Sequence, residues 1–288
     1  MKIKKMLGDK IFDICNVLFF IAFAAVTFYP FLHQLSISLS EKSRAMSGGF
    51  FFYPRGFTIA AYRFVLQSNY IFLAFKNSII ITVGGVLLCL VVCSSYAYIM
   101  SKRDLPGYKF WNFIVIFSIL FSGGLIPEYL VVRSLGLTDN LLALILLGAI
   151  TPFNIVIIKN FFQNLPKSLE ESAIIDGARP LKIFTNIVLP LSKPVLATIS
   201  IWVAVSQWNN FMRGLMYLPS RHNYILPVLI RDIVIGQSDL AVMEVQSETT
   251  GETVTAATII VALVPILMVY PFLQKHFTKG IMLGAVKG

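Results

Sequence analysis

Six apolar runs, each close to the thickness of a bilayer, constrain this chain more than any motif in it. A helix that crosses the hydrocarbon core needs roughly 20 apolar residues. The sequence has such runs at 14–31, 78–100, 110–130, 141–162, 195–215 and 254–272. In lipid the backbone can hydrogen-bond only to itself, so isolated runs of this kind fold as helices. Apolar residues make up 57% of the 288 and charged ones only 13%, about half the charge of an ordinary soluble domain. The pattern predicts an all-α, polytopic membrane protein with six transmembrane helices. No Pro-, Gly- or Ser-rich linker divides residues 1–288, so a single transmembrane domain is the simplest organisation. The first run is too long for a cleaved signal peptide, and no small-x-small site follows it.

Lys and Arg sort by side. Segments 1–10, 101–109, 159–193 and 274–288 hold 4, 3, 5 and 3 of them, 15 in 69 residues; segments 32–76, 133–139 and 213–252 hold 9 in 92. The denser set marks the cytoplasmic side. Both termini and residues 163–190 are then inside, and the long segments 32–76 and 213–252 outside. This sorting explains the net charge of +10 without nucleic acid as a partner. Segment 48–54, GGFFFYP, reads as an aromatic turn, either a membrane-interface belt or a docking surface for an external protein. Segment 58–66 reads as a short helix capped by Thr58.

Sites for chemistry are scarce. There is no G-x-x-x-x-G-K-[ST] phosphate loop and no H-E-x-x-H pair. His33, His222 and His276 fall in separate segments, and Cys15, Cys89 and Cys93 read as small core residues. Neither catalysis nor a metal on this chain is expected. Asp13, Glu128 and Arg213 lie near run ends and no charge is central, whereas an ion- or proton-coupled carrier usually buries one. Such a carrier or a channel remains the alternative, with a structural membrane protein as a third.

The cytoplasmic stretch 168–190, SLEESAIIDGARPLKIFTNIVLP, is too patterned for a connector. Ser168 and Glu171 form the S-x-x-E capping box, so a helix of about nine residues should begin near Leu169. Gly177 is a left-handed stop, and Pro180 fits the first turn of a second helix that should fade before Pro190. Helices under about 12 residues are marginal alone in water, so the first must be held by something. Leu169, Ser172, Ala173 and Asp176 share one face. Small side chains at Ser172, Ala173 and Gly177 would let a partner's backbone approach; an amphipathic piece on the membrane surface is the other reading.

These residues carry a resemblance. Glu171-Ser172-Ala173, then Gly177, then Ile187-x-Leu189-Pro190 resembles the cytoplasmic E-A-A signature of permease subunits of ATP-binding-cassette importers, with Ser172 in place of Ala. Segments 176–178 (DGA), 76–83 (KNSIIITV), 121–132 (FSGGLIPEYLVV), 208–211 (WNNF) and 279–288 (KGIMLGAVKG) are similar to the carbohydrate, maltose-type branch, in its complex-oligosaccharide or polysaccharide subgroup. The resemblance implies a MetI-like permease core in the bacterial cytoplasmic membrane. It implies a second, homologous permease, two ATPase subunits that bind ATP and Mg, and an extracytoplasmic solute-binding protein that delivers a carbohydrate. It makes stretch 163–190 the coupling helix, with Leu169, Glu171, Ser172, Ala173, Asp176 and Gly177 as ATPase-coupling residues. The tail, 279–288, would approach the ATPases or rest on anionic lipid.

The fifth run carries a polar stripe: Trp202, Ser206, Asn209 and Arg213, at steps of four, three and four, with Gln207 and Asn210 beside it. Amides and an indole suit a sugar's hydroxyls and C–H faces. The same residues could equally join helices within the membrane.

Overall fold

Helix formation follows the apolar runs, and glycine, proline and asparagine decide where the helices bend. A computed structural model describes residues 7–235, 249–265 and 267–268. Among them the only strand-like pairing is an isolated bridge between Ser40 and Phe57. The tail at 279–288, the end of the sixth run and positions 236–248 of the outer segment lie outside the described residues. Among the described residues two helices are long and apolar enough to cross a membrane alone, and three bent pairs bring the number to five. The sixth run is described as Gly251–Pro265. The described residues fall into two compact units, one within Met1–Ser68 and Ile230–Leu263, the other within Asn69–Leu229 and Val264–Gly288.

In the first unit, α1 (Leu7–Ser38) has 32 residues, about 48 Å at 1.5 Å per residue. None of its most apolar stretch is buried within the chain. Cys15 is therefore exposed, which corrects its reading as a core residue. After α2 (Lys42–Ala45) the chain makes the expected aromatic turn, with Gly48 and Gly49 at φ 65° and 94°. Tyr29 contacts the rings of Phe50 and Phe52, and Phe51 is buried with Ile37 and Ala256. The short helix α3 runs over Ala60–Gln67. Thr58 Oγ1 accepts from Ala60 N at 3.2 Å, so the threonine holds the helix start from one residue outside the N-cap position, Ile59.

The second unit is built around α4 (Asn69–Ser101), 33 residues long. Packed on it are α7 (Leu141–Ala149), α8 (Pro152–Gln163) and α11 (Lys193–Trp208). Cys89, Cys93, Ala97, Ile158, Ile199 and Val203 form part of one core, and Ile81, Leu144, Tyr217 and Ile225 part of another. Asn77 Nδ2 donates to the carbonyls of His222 and Tyr224 at 2.9 and 3.0 Å, and Ser78 Oγ accepts from Leu226 N at 2.9 Å. These bonds tie α4 to the loop before α13 (Leu226–Val234).

Three expected continuous runs are broken. Run 110–130 folds as α5 (Tyr108–Leu120) and α6 (Leu125–Ser134), bent by 114°. Gly124 sits at φ 86° and ψ 172°, a region essentially closed to side chains, and Ser122 Oγ accepts from its N–H. Run 141–162 bends by 45° between α7 and α8, where Pro152 opens the second helix and Thr151 Oγ1 accepts from Asn154 N at 3.4 Å. In run 195–215, α11 ends at Trp208 and α12 (Phe211–Tyr217) begins after Asn209 and Asn210. The Asn209 amide bonds back to the Val205 carbonyl at 2.9 Å. Asparagine competes with the helix in this way because its short amide reaches nearby backbone.

A polar clasp closes the loop between α6 and α7. Asp139 stands at φ 60°. Its N–H reaches the Tyr217 carbonyl at 2.7 Å, its carboxylate accepts from Ser220 N at 3.1 Å, and its carbonyl accepts from Asn223 Nδ2 at 2.7 Å. Burial alone would raise the carboxyl, but hydrogen bonds from Ser220 and Asn223, with His222 nearby, outweigh it and hold Asp139 below the usual carboxylate range. A depressed folded value means that the carboxylate's contribution is complete above its unfolded value of about 3.9 and is lost as pH falls through the folded one. Acidification below about pH 4 should therefore lower the thermal midpoint of the native protein in detergent more than that of Asp139→Asn. The amide variant keeps the left-handed backbone but has no charge to lose.

Candidate functional site

The stretch 163–190 folds as two helices and a sharp turn. The first, α9, spans Lys167–Ile175, nine residues, with Pro166 as its N-cap and no side-chain cap. The expected capping box is not made. Pro166 leaves the chain extended at ψ 120° and Lys167 already begins the helix, so Ser168 lies inside the first turn, and its carbonyl accepts from Ser172 Oγ at 2.8 Å.

The stop forms as the sequence dictates. Gly177 has φ 76°; its N–H bonds to the Ile174 carbonyl at 2.9 Å, and Ala178 N to the Ala173 carbonyl at 2.9 Å. This pair of bonds is the Schellman arrangement, which satisfies carbonyls the helix end leaves free.

Pro180 opens α10 (Pro180–Leu191). That helix does not fade before Pro190. It widens to a π-helix over Phe184–Val188 and continues through Pro190 to Leu191. A proline ring collides with the carbonyl four residues back in a regular helix, and a wider turn relieves that collision. The chain then bends by 78° into α11.

The loop divides its apolar residues between two directions. Ala173, Ile183 and Phe184 are buried in the unit's own core. Ile174, Ile175 and Leu181 are 61%, 85% and 72% exposed. Leu169, Glu171, Ser172, Asp176 and Gly177 are also exposed. Of the six candidate coupling residues, Ala173 is thus the one packed inward, where its small size fits beside the chain's own helices.

Contacts that no spacing in the sequence announced hold the loop to α4. Lys102 pairs with Glu170 and lies over the Tyr98 ring, 4.7 Å from its centroid. Tyr98 stacks on Phe184 at 4.9 Å. The pair is half-buried, with the lysine side open to water, so its effect is orientation more than stability. A pocket of about 580 Å³ lies beside it, lined by residues of the 101–104 turn and of α9, Asp104 and Glu171 among them.

The polar stripe separates into three environments. Trp202, Ser206 and Asn209 are exposed on one side of α11 and its end, with Trp202 stacked on Phe153 at 6.1 Å. Gln207 is fully buried; its Nε2 donates to the Leu144 carbonyl at 3.0 Å, and its Oε1 accepts from Asn210 Nδ2 at 2.9 Å. It joins helices and lines no path within this chain. Arg213 lies beyond the break, on α12, so the four residues do not share one continuous helix. Its Nε is 3.4 Å from Glu128 Oε1 and its Nη1 donates to the Leu147 carbonyl at 3.2 Å.

Residues 8–282 match the family described as "Binding-protein-dependent transport system inner membrane component". The chain belongs to that family. It is a multi-pass membrane permease subunit of an importer, not an enzyme. The polygalacturonan/rhamnogalacturonan transport system permease protein YtcP of Bacillus subtilis (strain 168) is 44% identical to this permease, over 97% of its chain and 99% of YtcP. Protein LplC of the same organism is also 44% identical, over 98% and 96%. A chain from the crystal structure of a bacterial ABC transporter involved in the import of the acidic polysaccharide alginate superimposes with a TM-score of 0.90. It is 32% identical to the permease, covering 96% of this chain and 100% of that one.

Proposed function

We propose that this permease translocates an oligosaccharide, delivered outside by a solute-binding protein, with two ATPase subunits inside and a homologous permease beside it. Both termini are cytoplasmic in this reading. The relatives' names support a carbohydrate cargo, and two of them concern polysaccharides that carry carboxylates. The observation that carries the coupling mechanism is the outward face of α9 and the turn after it. Ile174 and Ile175 stand exposed at the end of a nine-residue helix, and Leu181 just past its turn on α10; a helix of that length is too short to persist unaided. ATPase subunits that receive Leu169, Glu171, Ser172, Asp176 and Gly177 would cover this face, while Ala173 seats the helix from behind.

ATP and Mg are held by the ATPase subunits. Closure of the ATPase pair moves α9, and Lys102, Tyr98 and Phe184 pass the displacement to α4. Rigid-body rocking then alternates access to the cavity. Trp202, Ser206, Asn209, Asn210 and Arg213 are the path candidates on this chain, with Gln207 supporting them from the core. The test is uptake of oligosaccharide by proteoliposomes that hold the complete complex. Uptake should require both ATP and the binding protein. Uptake driven by an ion gradient without ATP would replace this reading with an ion-coupled carrier.

A further inference from the structure

Arg213 and Glu128 form an ion pair where neither charge helps the fold much. Their side chains are 36% and 37% exposed, and pairs at that exposure stabilise by only about 0–1 kcal/mol. Yet both stand at the ends of apolar runs, among exposed apolar neighbours such as Leu125, Ile126 and Met212. Ionisable residues at membrane spans are costly unless they face a cavity or another protein, so the open side of this pair faces water or a partner. It also follows directly on the exposed polar residues Trp202, Ser206 and Asn209.

The geometry of the pair leaves room for exchange. Glu128 Oε1 is shared: Tyr217 OH donates to it at 3.2 Å, and Arg213 Nε approaches at 3.4 Å. A tight Arg–carboxylate pair is bidentate and shorter, about 2.7–2.9 Å. The guanidinium is held in place by the Leu147 carbonyl, and its remaining N–H groups can receive another carboxylate in the planar, two-point manner for which arginine is suited. Glu128 would keep its Tyr217 hydroxyl when displaced. Neutral sugars need no such group, since amides and an indole satisfy hydroxyls.

We propose that Arg213 is the contact for a uronate carboxylate of the cargo and that Glu128 is its internal competitor, so that the pair sets the preference for acidic over neutral oligosaccharides. This rests on the carbohydrate-import reading above. The competitor keeps the arginine neutralised when the path is empty and prevents the acid from binding too tightly to leave, which conduction through any selective site requires.

The complete transporter in proteoliposomes is given a galacturonate oligomer or its methyl ester at the same chain length, and the ratio of acid to ester uptake is measured. Arg213→Gln should lower that ratio about tenfold, the factor that corresponds to about 1.4 kcal/mol. Arg213→Lys, which keeps charge but not the planar fork, should fall between. Glu128→Gln should lower the half-saturating concentration of the acid and leave that of the ester where it was. An unchanged ratio in Arg213→Gln, with both uptakes equally reduced or neither, would mean a structural role and overturn the assignment. A native complex that carries the ester but not the acid overturns it too, with carbohydrate import intact. A native complex that carries neither also overturns it, and the import reading is then judged separately by ATP- and binding-protein-dependent uptake of neutral oligosaccharides.

Discussion

Gly177→Asp should abolish retention of the ATPase subunits while the permease still inserts in the membrane. Gly177 sits at φ 76°, in the left-handed region, which costs a residue with a side chain about 1–2 kcal/mol. That strain falls on the two hydrogen bonds that end α9, from Gly177 N to Ile174 and from Ala178 N to Ala173. A new carboxylate also appears next to Asp176, on the exposed tip. Nothing lies within 4 Å of the position a Cβ would take, so the rest of the chain has no reason to change. Strain of this size shifts the turn's population by about 5- to 30-fold. ATPase recovered with the affinity-purified permease should fall by more than about tenfold. Gly177→Asn, which meets the same backbone demand as aspartate but adds no charge, should lose less. Full ATPase recovery with the aspartate would show that the turn is not where the motor docks.

A second large effect is expected far from that loop. Gly148→Val should prevent recovery of folded permease. The Gln207 side chain lies between Gly85 and Gly148. A Cβ at Gly85 would be 2.5 Å from Gln207 Nε2, and one at Gly148 2.5 Å from its Cδ. The amide is fully buried and bonded to Leu144 and Asn210. Valine must expel it. Overpacking costs about 1–3 kcal/mol, and each buried polar group left without a partner about 1–3 kcal/mol more. The thermal midpoint in detergent should collapse, and the yield of monodisperse protein with it. Gly148→Ala should be milder, and pairing it with Gln207→Ala should cost less than the two changes taken separately, because the shorter side chain vacates the contested space. Strict additivity would contradict this packing.

Local chemistry was the part of the fold legible beforehand. The apolar runs gave helices because lipid permits little else, and Gly177 and Pro180 acted where backbone geometry demands those residues. The same logic overreached at Ser168, where a capping pattern was present but Pro166 started the helix first. It missed the break after α5, because an apolar count is blind to Gly124 at positive φ. The periodicity of Trp202, Ser206 and Asn209 placed them together, yet it could not reveal that Gln207 turns into the core. That depends on two distant glycines opening a slot for it. Glu170 and Lys102, 68 residues apart, and the Glu128–Arg213 pair meet only through tertiary packing, which spacing along the chain does not encode. Family membership, in contrast, was carried by short motifs with fixed intervals and needed no packing to be seen.

The direction in which α9 presents its residues is open to a single direct measurement. In native membrane vesicles, with Cys15 replaced by Ser so that the buried Cys89 and Cys93 are the only native thiols, single cysteines are placed in turn at Ile175, Leu181 and Ala173 and treated with a short bifunctional thiol reagent. Ile175→Cys and Leu181→Cys should trap an ATPase subunit, and Ala173→Cys, packed against the chain's own core, should not. Adducts from Ala173 alone, or no ATPase adduct from any of the three, would contradict docking of this helix in the motor.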